Sequence, residues 1–204
     1  EAETGLTVEI LRAGDAGQVV NQSILSKNNP LGDVLYGIDN TFLSRALDAG
    51  IFVPYESEAL ATVPEDFILD DAYDVTPIDF GDVCLNYDKA YFEDSELALP
   101  ESLSELTEPD YADLLVVENP ATSSPGLAFM LATIAEFGTE GDYTFLDYWA
   151  DLRDNGVLVV DGWSEAYYTE FSAPGRDTGT RPLVVSYASS PPVELFFSDP
   201  MPED

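Results

Sequence analysis

The sequence predicts an α/β fold with a mainly parallel sheet. Short apolar runs bounded by turn residues alternate with segments whose apolar residues recur at helical spacing. Such runs are typical of strands buried on both faces, as the strands of a parallel sheet are. The chain has 204 residues and a mass of 22.2 kDa, which allows one large domain or two small lobes.

The first 50 residues predict two strand–helix pairs. Alternating apolar residues predict a strand over 7–12, and apolar residues at helical spacing predict a helix over 18–27. The apolar run at 33–37 predicts a buried parallel strand. Asp39 or Asn40 is expected to cap the helix that follows.

The remainder of the chain predicts a second group of strand–helix units. Residues 53–76 are rich in Pro, Asp and Glu and predict irregular structure, followed by an extended segment over 78–87. A capping box of Ser102 and Glu105 predicts a short helix. Strands and helices then alternate up to residue 187, with strands expected at 114–118, 157–160 and 183–187, helices opening at 122–126 and covering 145–154 and 164–171, and a loop over 172–182.

The composition excludes several classes of function. The chain has no histidine, so a Ser-His-Asp or Cys-His hydrolase and a histidine-ligated zinc site are excluded. The single cysteine, Cys84, allows neither an internal disulfide nor a cysteine-rich metal site. The 40 acidic residues against 7 basic ones give a net charge of −33, which excludes nucleic acid as a default partner. No apolar run approaches the length that spans a bilayer.

Most of the carboxylates are expected to be solvated surface groups, by an estimate of roughly nine in ten. The acidic clusters at 65–74 and 93–96 lack the ligand spacing and central glycine of an EF-hand. Solvated loops are therefore the better interpretation of both clusters, and no metal site is predicted.

Residues 162–166, Gly-Trp-Ser-Glu-Ala, nearly match the nucleophile elbow of hydrolases. Without histidine, Ser164 has no ordinary general base, so a capping role for Ser164 at the start of the helix is preferred. Trp163 lies where a strand gives way to a helix, which is where open α/β sheets bind ligands. Position alone leaves a ligand-facing role and a plain core role for Trp163 at about even odds.

Residues 122–127, Thr-Ser-Ser-Pro-Gly-Leu, open a helix at another strand–helix junction. Free backbone N–H groups at such a junction suit an anionic group such as phosphate. Ordinary helix capping explains the same residues, and the segment lacks the Gly-Lys pair of a Walker loop.

Four segments together resemble the solute-binding proteins of thiamine ABC importers. They are residues 33–40 (Asp-Val-Leu-Tyr-Gly-Ile-Asp-Asn), 77–81 with 86–89 (Asn-Tyr-Asp-Lys), 119–127 with its Thr-x-x-Pro-Gly-Leu, and 162–167 (Gly-Trp-Ser-Glu-Ala-Tyr) followed by 186–191. The pair formed by the last two motifs is fairly specific, and the resemblance covers nearly the whole chain.

The resemblance implies a two-lobed periplasmic-binding-protein-like fold whose cleft holds the ligand, thiamine or a thiamine phosphate. It implies that Asp39 accepts hydrogen bonds from the aminopyrimidine and that Ser123 and Ser124 face the phosphate end. Trp163 and Tyr187 match aromatic residues of the cleft. Such a protein is extracytoplasmic, is not an enzyme, needs no cofactor, and works with the membrane subunits of an ABC importer. The membrane is then reached only through that partner or through a lost anchor.

The resemblance also implies parts that this sequence lacks. The family's first strand and its last third are absent, and Val193 stands where relatives often carry a tyrosine. We therefore divide the chain into a partial first lobe over 1–80, with 192–204 as a candidate addition, and a second lobe over 81–191. Uncovered sheet edges favour dimerisation.

Two alternatives to thiamine binding remain open from the sequence. Related binders take other small solutes, including Fe³⁺, which tyrosines such as Tyr187 would ligate. A truncated interaction domain without ligand binding is the alternative from a different class of protein.

We expect the protein to be adapted to a saline medium. A net charge of −33 repels itself at low salt, and salt screens that repulsion. The melting temperature should therefore rise across a series of increasing salt concentration. Greater stability at low salt would reject the hypothesis.

Overall fold

A four-stranded sheet organises the chain. The structure is a computed structural model that describes residues 4–173 and 179–198. The strands are β1 Val83–Tyr87, β2 Leu115–Glu118, β3 Leu158–Val160 and β4 Leu183–Tyr187, in the spatial order β1-β4-β2-β3. Strand β2 is parallel to both β3 and β4, and β1 runs antiparallel to β4. The prediction of a mainly parallel α/β sheet is confirmed.

Seven helices of the described residues accompany the sheet, and two of them lie in the first part of the chain. They are α1 Ala16–Leu25, α2 Leu43–Ala49, α3 Lys89–Ser95, α4 Ser124–Phe137, α5 Phe145–Asp154, α6 Trp163–Glu165 and α7 Ser190–Phe197. A π-helical turn over Ala166–Glu170 continues α6, and 3₁₀ turns lie at Glu58–Thr62, Glu65–Phe67, Ser104–Thr107 and Pro109–Tyr111.

Apolar side chains on both faces of the sheet build the core. On one face, Leu115, Val117, Leu183 and Val185 pack with residues of α4 and α5, namely Phe129, Tyr148 and Leu152. On the other face, Val116, Val160 and Val184 pack against Ala166, Tyr167 and Phe171. Because consecutive strand residues point to opposite faces, this division follows from the apolar runs of β2 and β4.

Helices α1 and α2 form a smaller cluster that is tied to the start of α4. Val20, Phe42 and Ala46 are its buried centre, and Leu127 of α4 packs against it. The Gly17 amide donates to the carbonyl of Thr122 at 3.0 Å. A Cβ at Gly17 would lie 2.7 Å from the carbonyl oxygen of Ala121, so this close approach requires glycine.

The strands predicted at 7–12 and 33–37 do not form. Both segments lack pairing with any strand of the described residues, and their apolar side chains, including Val8, Ile10 and Val34, are largely exposed. An alternating or apolar pattern specifies a strand face, but a strand also needs a partner backbone for its N–H and C=O groups. Irregular structure over 53–76 is found as expected, with two 3₁₀ turns inside it.

Two helices were not expected from the sequence. Helix α3 begins after Asp88, whose side chain accepts hydrogen bonds from the amides of Ala90 and Tyr91 at 3.1 and 3.3 Å. Helix α7 carries prolines in its first turn, where their missing N–H groups are not needed.

Other predicted elements are shifted or shortened. Helix α1 begins and ends two residues earlier than 18–27. Ser102 precedes the 3₁₀ turn Ser104–Thr107, and Glu105 lies within it. Part of the loop at 172–182 and the end of the segment 192–204 lie outside the described residues. The division into lobes at residue 80 stays a prediction.

Removing a core side chain from α5 should destabilise the protein strongly. Leu152 is 1% exposed and belongs to the main core, whereas Leu146 on the same helix is 66% exposed. We expect Leu152→Ala to lower the free energy of unfolding by about 2–5 kcal/mol, because it removes buried methyl groups and leaves a cavity. Leu146→Ala should change it by about 0.5 kcal/mol or less. Urea denaturation of both variants measures this, and equal losses would contradict the assignment of the core.

Candidate ligand-binding site

A half-buried tryptophan stands at the centre of an aromatic wall. Trp163 stacks on Tyr167 with ring centroids 4.9 Å apart, meets Tyr168 edge-on at 5.3 Å and lies 6.4 Å from the ring of Tyr187. An open cavity of about 210 Å³ lies against this wall. Helix α7 lines it with Ser190, Val193 and Glu194, together with the N-cap residue Ser189.

The sheet and α1 fix the position of Trp163 from two sides. Its indole Nε1 donates to Ser186 Oγ at 2.8 Å, and Ser186 shares a 3.0 Å hydrogen bond with Ser190. Its backbone N–H donates to Asp15 Oδ2 at 2.7 Å. A side chain held by directed hydrogen bonds in a cavity wall differs from one that fills space in an apolar core.

The capping role expected for Ser164 is wrong. Gly162 is the N-cap of α6, and the N-terminal amide of that helix is satisfied by Asp15, which precedes α1. Ser164 itself is exposed in the first turn. Asp15 was missed because the residue it serves lies 148 positions away along the chain.

Tyr187 ends β4 among negative charges. Burial, together with the charges of Asp39, Glu118, Asp15 and Asp79, raises the pKa of its phenol to about 12. Tyr187 therefore stays a neutral hydroxyl at any physiological pH. Within 4–173 and 179–198, no three His, Cys, Asp or Glu side chains are grouped as metal ligands.

Asp39 does not cap α2 as expected, because Phe42 occupies the N-cap position. Its Oδ1 accepts from the amide of Thr41 at 2.9 Å and from the hydroxyl of Thr41 at 2.5 Å. These bonds hold the turn before α2 and leave Oδ2 without a partner among the described residues. Asp39 does not line the cavity, but its charge acts on Tyr187.

Ser123 and Ser124 open α4 at the adjoining strand–helix junction. Both are buried, and Ser123 is the N-cap with extended backbone dihedrals. Ordinary capping does not account for Ser123, because its Oγ is buried and has no hydrogen-bond partner. An unpartnered hydroxyl at a helix N-terminus is suited to an anionic or hydroxyl group of a ligand.

The residues of the start of α1 connect the two junctions. Asp15 binds the amide of Trp163, and Gly17 binds the carbonyl of Thr122. The structure thus brings Trp163 and Tyr187 into one wall with Asp39 acting on Tyr187, and Ser123 and Ser124 lie at the neighbouring junction, outside the lining of the cavity.

Two further polar residues of the site escaped the sequence argument. Ser186 receives the indole N–H, and Glu118 is a fully buried carboxyl at the end of β2. The sequence carries one signal that could have identified Glu118: it is a charged residue at the end of an otherwise apolar strand.

The comparisons with known proteins identify the family of the chain. Residues 29–188 match the family model described as bacterial extracellular solute-binding protein. The chain belongs to this family. No helix within the described residues is long and apolar enough to cross a membrane.

Curated relatives of this family member include the thiamine-binding periplasmic proteins of Brucella suis biovar 1 (strain 1330) and Escherichia coli (strain K12). Each is 29% identical to the chain over 94% of its length. The matches cover 52% and 54% of those proteins, so the chain spans about half the length of the curated relatives it matches. The resemblance found in the sequence is confirmed.

Solved structures also match nearly the whole of this chain and a little over half of their own. A periplasmic thiamin binding protein has a TM-score of 0.79 and 28% identity, and the match covers 96% of this chain and 57% of that one. Iron-bound HitA from Pseudomonas aeruginosa has a TM-score of 0.67 and 25% identity, covering 91% and 56%. Both are periplasmic-type binding folds, as the fold prediction requires.

Proposed function

We propose that this chain is the ligand-binding part of an extracytoplasmic solute-binding protein that captures thiamine or a thiamine phosphate for an ABC importer. The observation that carries the proposal is the wall of Trp163, Tyr167 and Tyr187 beside several carboxylates. The names and similarity of the curated relatives support it. The importer subunits and the extracytoplasmic location are part of the same proposal.

The chemistry of thiamine suits these groups. Its thiazolium ring carries a permanent positive charge, and aromatic faces and nearby carboxylates attract such a cation. The free Oδ2 of Asp39 is available to accept hydrogen bonds from an aminopyrimidine. The start of α4, with the unpartnered Ser123 hydroxyl and the buried Ser124, offers donors to a hydroxyl or phosphate tail.

Ferric iron is the second candidate ligand, because iron-bound HitA is a structural relative. Fe³⁺ would need further ligands beside Tyr187, and no three His, Cys, Asp or Glu side chains of the described residues are grouped as metal ligands. The aromatic wall therefore favours an organic cation.

We also propose that the protein is not an enzyme. Ser164, the one nucleophile suggested by a motif, is exposed in a chain without histidine. Turnover of an ester that disappeared in Ser164→Ala would overturn this.

Thiamine should quench the fluorescence of Trp163. The chain has two tryptophans, and Trp149 lies away from the wall, where it packs on Phe129 and donates to Thr133 Oγ1 at 3.0 Å. We expect Trp149→Phe to keep the quenching and Trp163→Phe to lose it. Trp163→Ala should weaken thiamine binding about tenfold in calorimetry, because it removes the aromatic face.

The same calorimetry separates the alternatives. Thiamine, thiamine monophosphate and Fe³⁺ are titrated in turn, and a coloured ferric complex with no thiamine signal would favour the iron binder. No heat for any of the three would favour an interaction domain without ligand binding.

Self-association through the first part of the chain is a further proposal. Its extended segments expose many apolar side chains, each 65–87% exposed: Leu6, Val8, Ile10, Leu11, Val34, Tyr36, Val53, Tyr55, Ile78 and Phe80. A second copy of the chain would cover such a surface, and salt would weaken the charge repulsion between copies. Light scattering after size exclusion should give a dimer that becomes more populated with salt, and less so in a Val8→Ser/Ile10→Ser variant. A monomer at every salt concentration would contradict this.

A further inference from the structure

One buried carboxyl near the aromatic wall has no partner. Glu118, the last residue of β2, is 0% exposed, and neither of its side-chain oxygens has a hydrogen-bond partner. None of the lysines and arginines in the described residues forms an ion pair with it. A buried carboxylate in such surroundings is strongly disfavoured unless it becomes neutral or meets a positive charge.

The strand register places this carboxyl beneath the ligand wall. Glu118 pairs with Val160 of β3, and the pairing of Val116 with Val184 puts Glu118 two residues further on beside Ser186 of β4. Paired residues of a sheet point to the same face. Ser186 is the acceptor of the Trp163 indole N–H, so Glu118 lies on the face of the sheet that the indole covers.

The groups around Glu118 are acidic or neutral. Asp15, before α1, acts on it with a negative charge, and Tyr187, at the end of β4, is in turn affected by Glu118. Asp161, after β3, holds the neighbouring Asn119 through a 3.2 Å hydrogen bond. On β1, Cys84 lies in the same row as Ser186, and burial raises the pKa of its thiol.

The start of α4 packs against the end of β2, next to Glu118. Gly126 lies against the end of β2, where a Cβ would be 2.2 Å from the carbonyl oxygen of Glu118 and 3.1 Å from its Cβ. The N-terminal turn of a 14-residue helix therefore lies against this strand end, with the unpartnered Ser123 as its N-cap.

We propose that Glu118 is the charge-compensating group of the site: a cation captured at the Trp163 wall drives its carboxyl to ionise, and one proton is released to solvent. In the empty site the carboxyl is neutral, and with the cation bound it is the carboxylate. The negative charge formed when the proton leaves then offsets one positive charge of the ligand. This inference rests on the proposed function, because it needs a cationic ligand.

A bound cation is expected to lower the pKa of Glu118 enough for the carboxyl to lose its proton near neutral pH. Burial, with a smaller contribution from the charge of Asp15, raises the pKa of Glu118 to about 8, so the empty site holds the proton at neutral pH. A unit positive charge roughly 7 Å away, in a medium with an effective dielectric constant of about 20, lowers such a pKa by one to two units. Ionisation then accompanies binding between about pH 6 and pH 8.

The sign of the pH dependence follows. Below the pKa of the liganded site both forms are protonated, and the cation binds weakly. As pH rises through the window, binding no longer has to remove a proton, so the affinity increases and then levels off above about pH 8. We expect thiamine affinity to rise about tenfold between roughly pH 6.5 and pH 8.5.

Calorimetry with thiamine in two buffers of different ionisation enthalpy tests the inference. The dependence of the measured enthalpy on the buffer should give about 0.4 to 0.8 proton released per thiamine at pH 7. Glu118→Gln keeps the size of the side chain and should bind thiamine with an affinity independent of pH and without proton release. Glu136→Gln, the same change at an exposed position of α4, should behave like the unmodified protein.

Two further measurements keep the outcomes distinct. Asp15→Asn should still release the proton, and loss of release in Asp15→Asn with retention in Glu118→Gln would assign the proton to Asp15 and overturn the inference. Without ligand, the infrared band of a protonated carboxyl at pH 7 should disappear in Glu118→Gln, and its persistence would also overturn it. Thiamine binding that is independent of pH would overturn the inference alone, whereas no thiamine binding at any pH would overturn the proposed function as well.

Discussion

The parallel pairing of β2 with β3 and β4 is the constraint on which the site depends. Because the three strands run the same way, Glu118, Val160 and Tyr187 end at one edge of the sheet. The chain that leaves β2 there enters α4, and the chain that leaves β3 enters α6 with Trp163. Polar and aromatic groups that are far apart in sequence therefore meet at that edge, while the apolar residues behind them form the core.

Asp15 connects this edge to the first part of the chain. Its carboxylate accepts the Trp163 amide, and two residues later Gly17 binds the carbonyl of Thr122. In both bonds the donor is a backbone N–H in the first turn of a helix, which would otherwise lack a partner. The first part of the chain is thus held at the same place where the aromatic wall is built, so its position and the shape of the site depend on each other.

The sequence predicted the elements whose stability is local or whose burial is complete. Strands β2 and β4 follow from apolar runs, and α4 and α5 follow from their terminal residues. The strand predictions at 7–12 and 33–37 were wrong. A strand needs a partner strand to pair with, and the pattern of a single segment does not show whether one is available.

Only some residues of the site could be predicted from the sequence. Trp163 and Tyr187 are large aromatic residues at strand ends, a local signal that the family resemblance strengthened. Asp15 and Ser186 act through hydrogen bonds to a tryptophan 148 and 23 residues away. The role of such a residue exists only after the sheet has formed, so local sequence cannot give it. Ser164 is the opposite case. Local sequence favoured it as the helix cap, but the first amide of α6 is instead bound by the distant carboxylate of Asp15.

The acidity of the chain and the buried carboxyl act on a ligand in different ways. A net charge of −33 attracts every cation, and salt screens that attraction beyond about 10 Å at 0.1 M, so the surface charge cannot distinguish one cation from another. A carboxyl enclosed by the sheet and α4 is hardly screened. In the proposed function this carboxyl responds to an organic cation at the aromatic wall, whereas small, strongly hydrated ions stay in water. Selectivity for such a cation would then come from the few groups beneath Trp163, because the many surface carboxylates act on every cation alike.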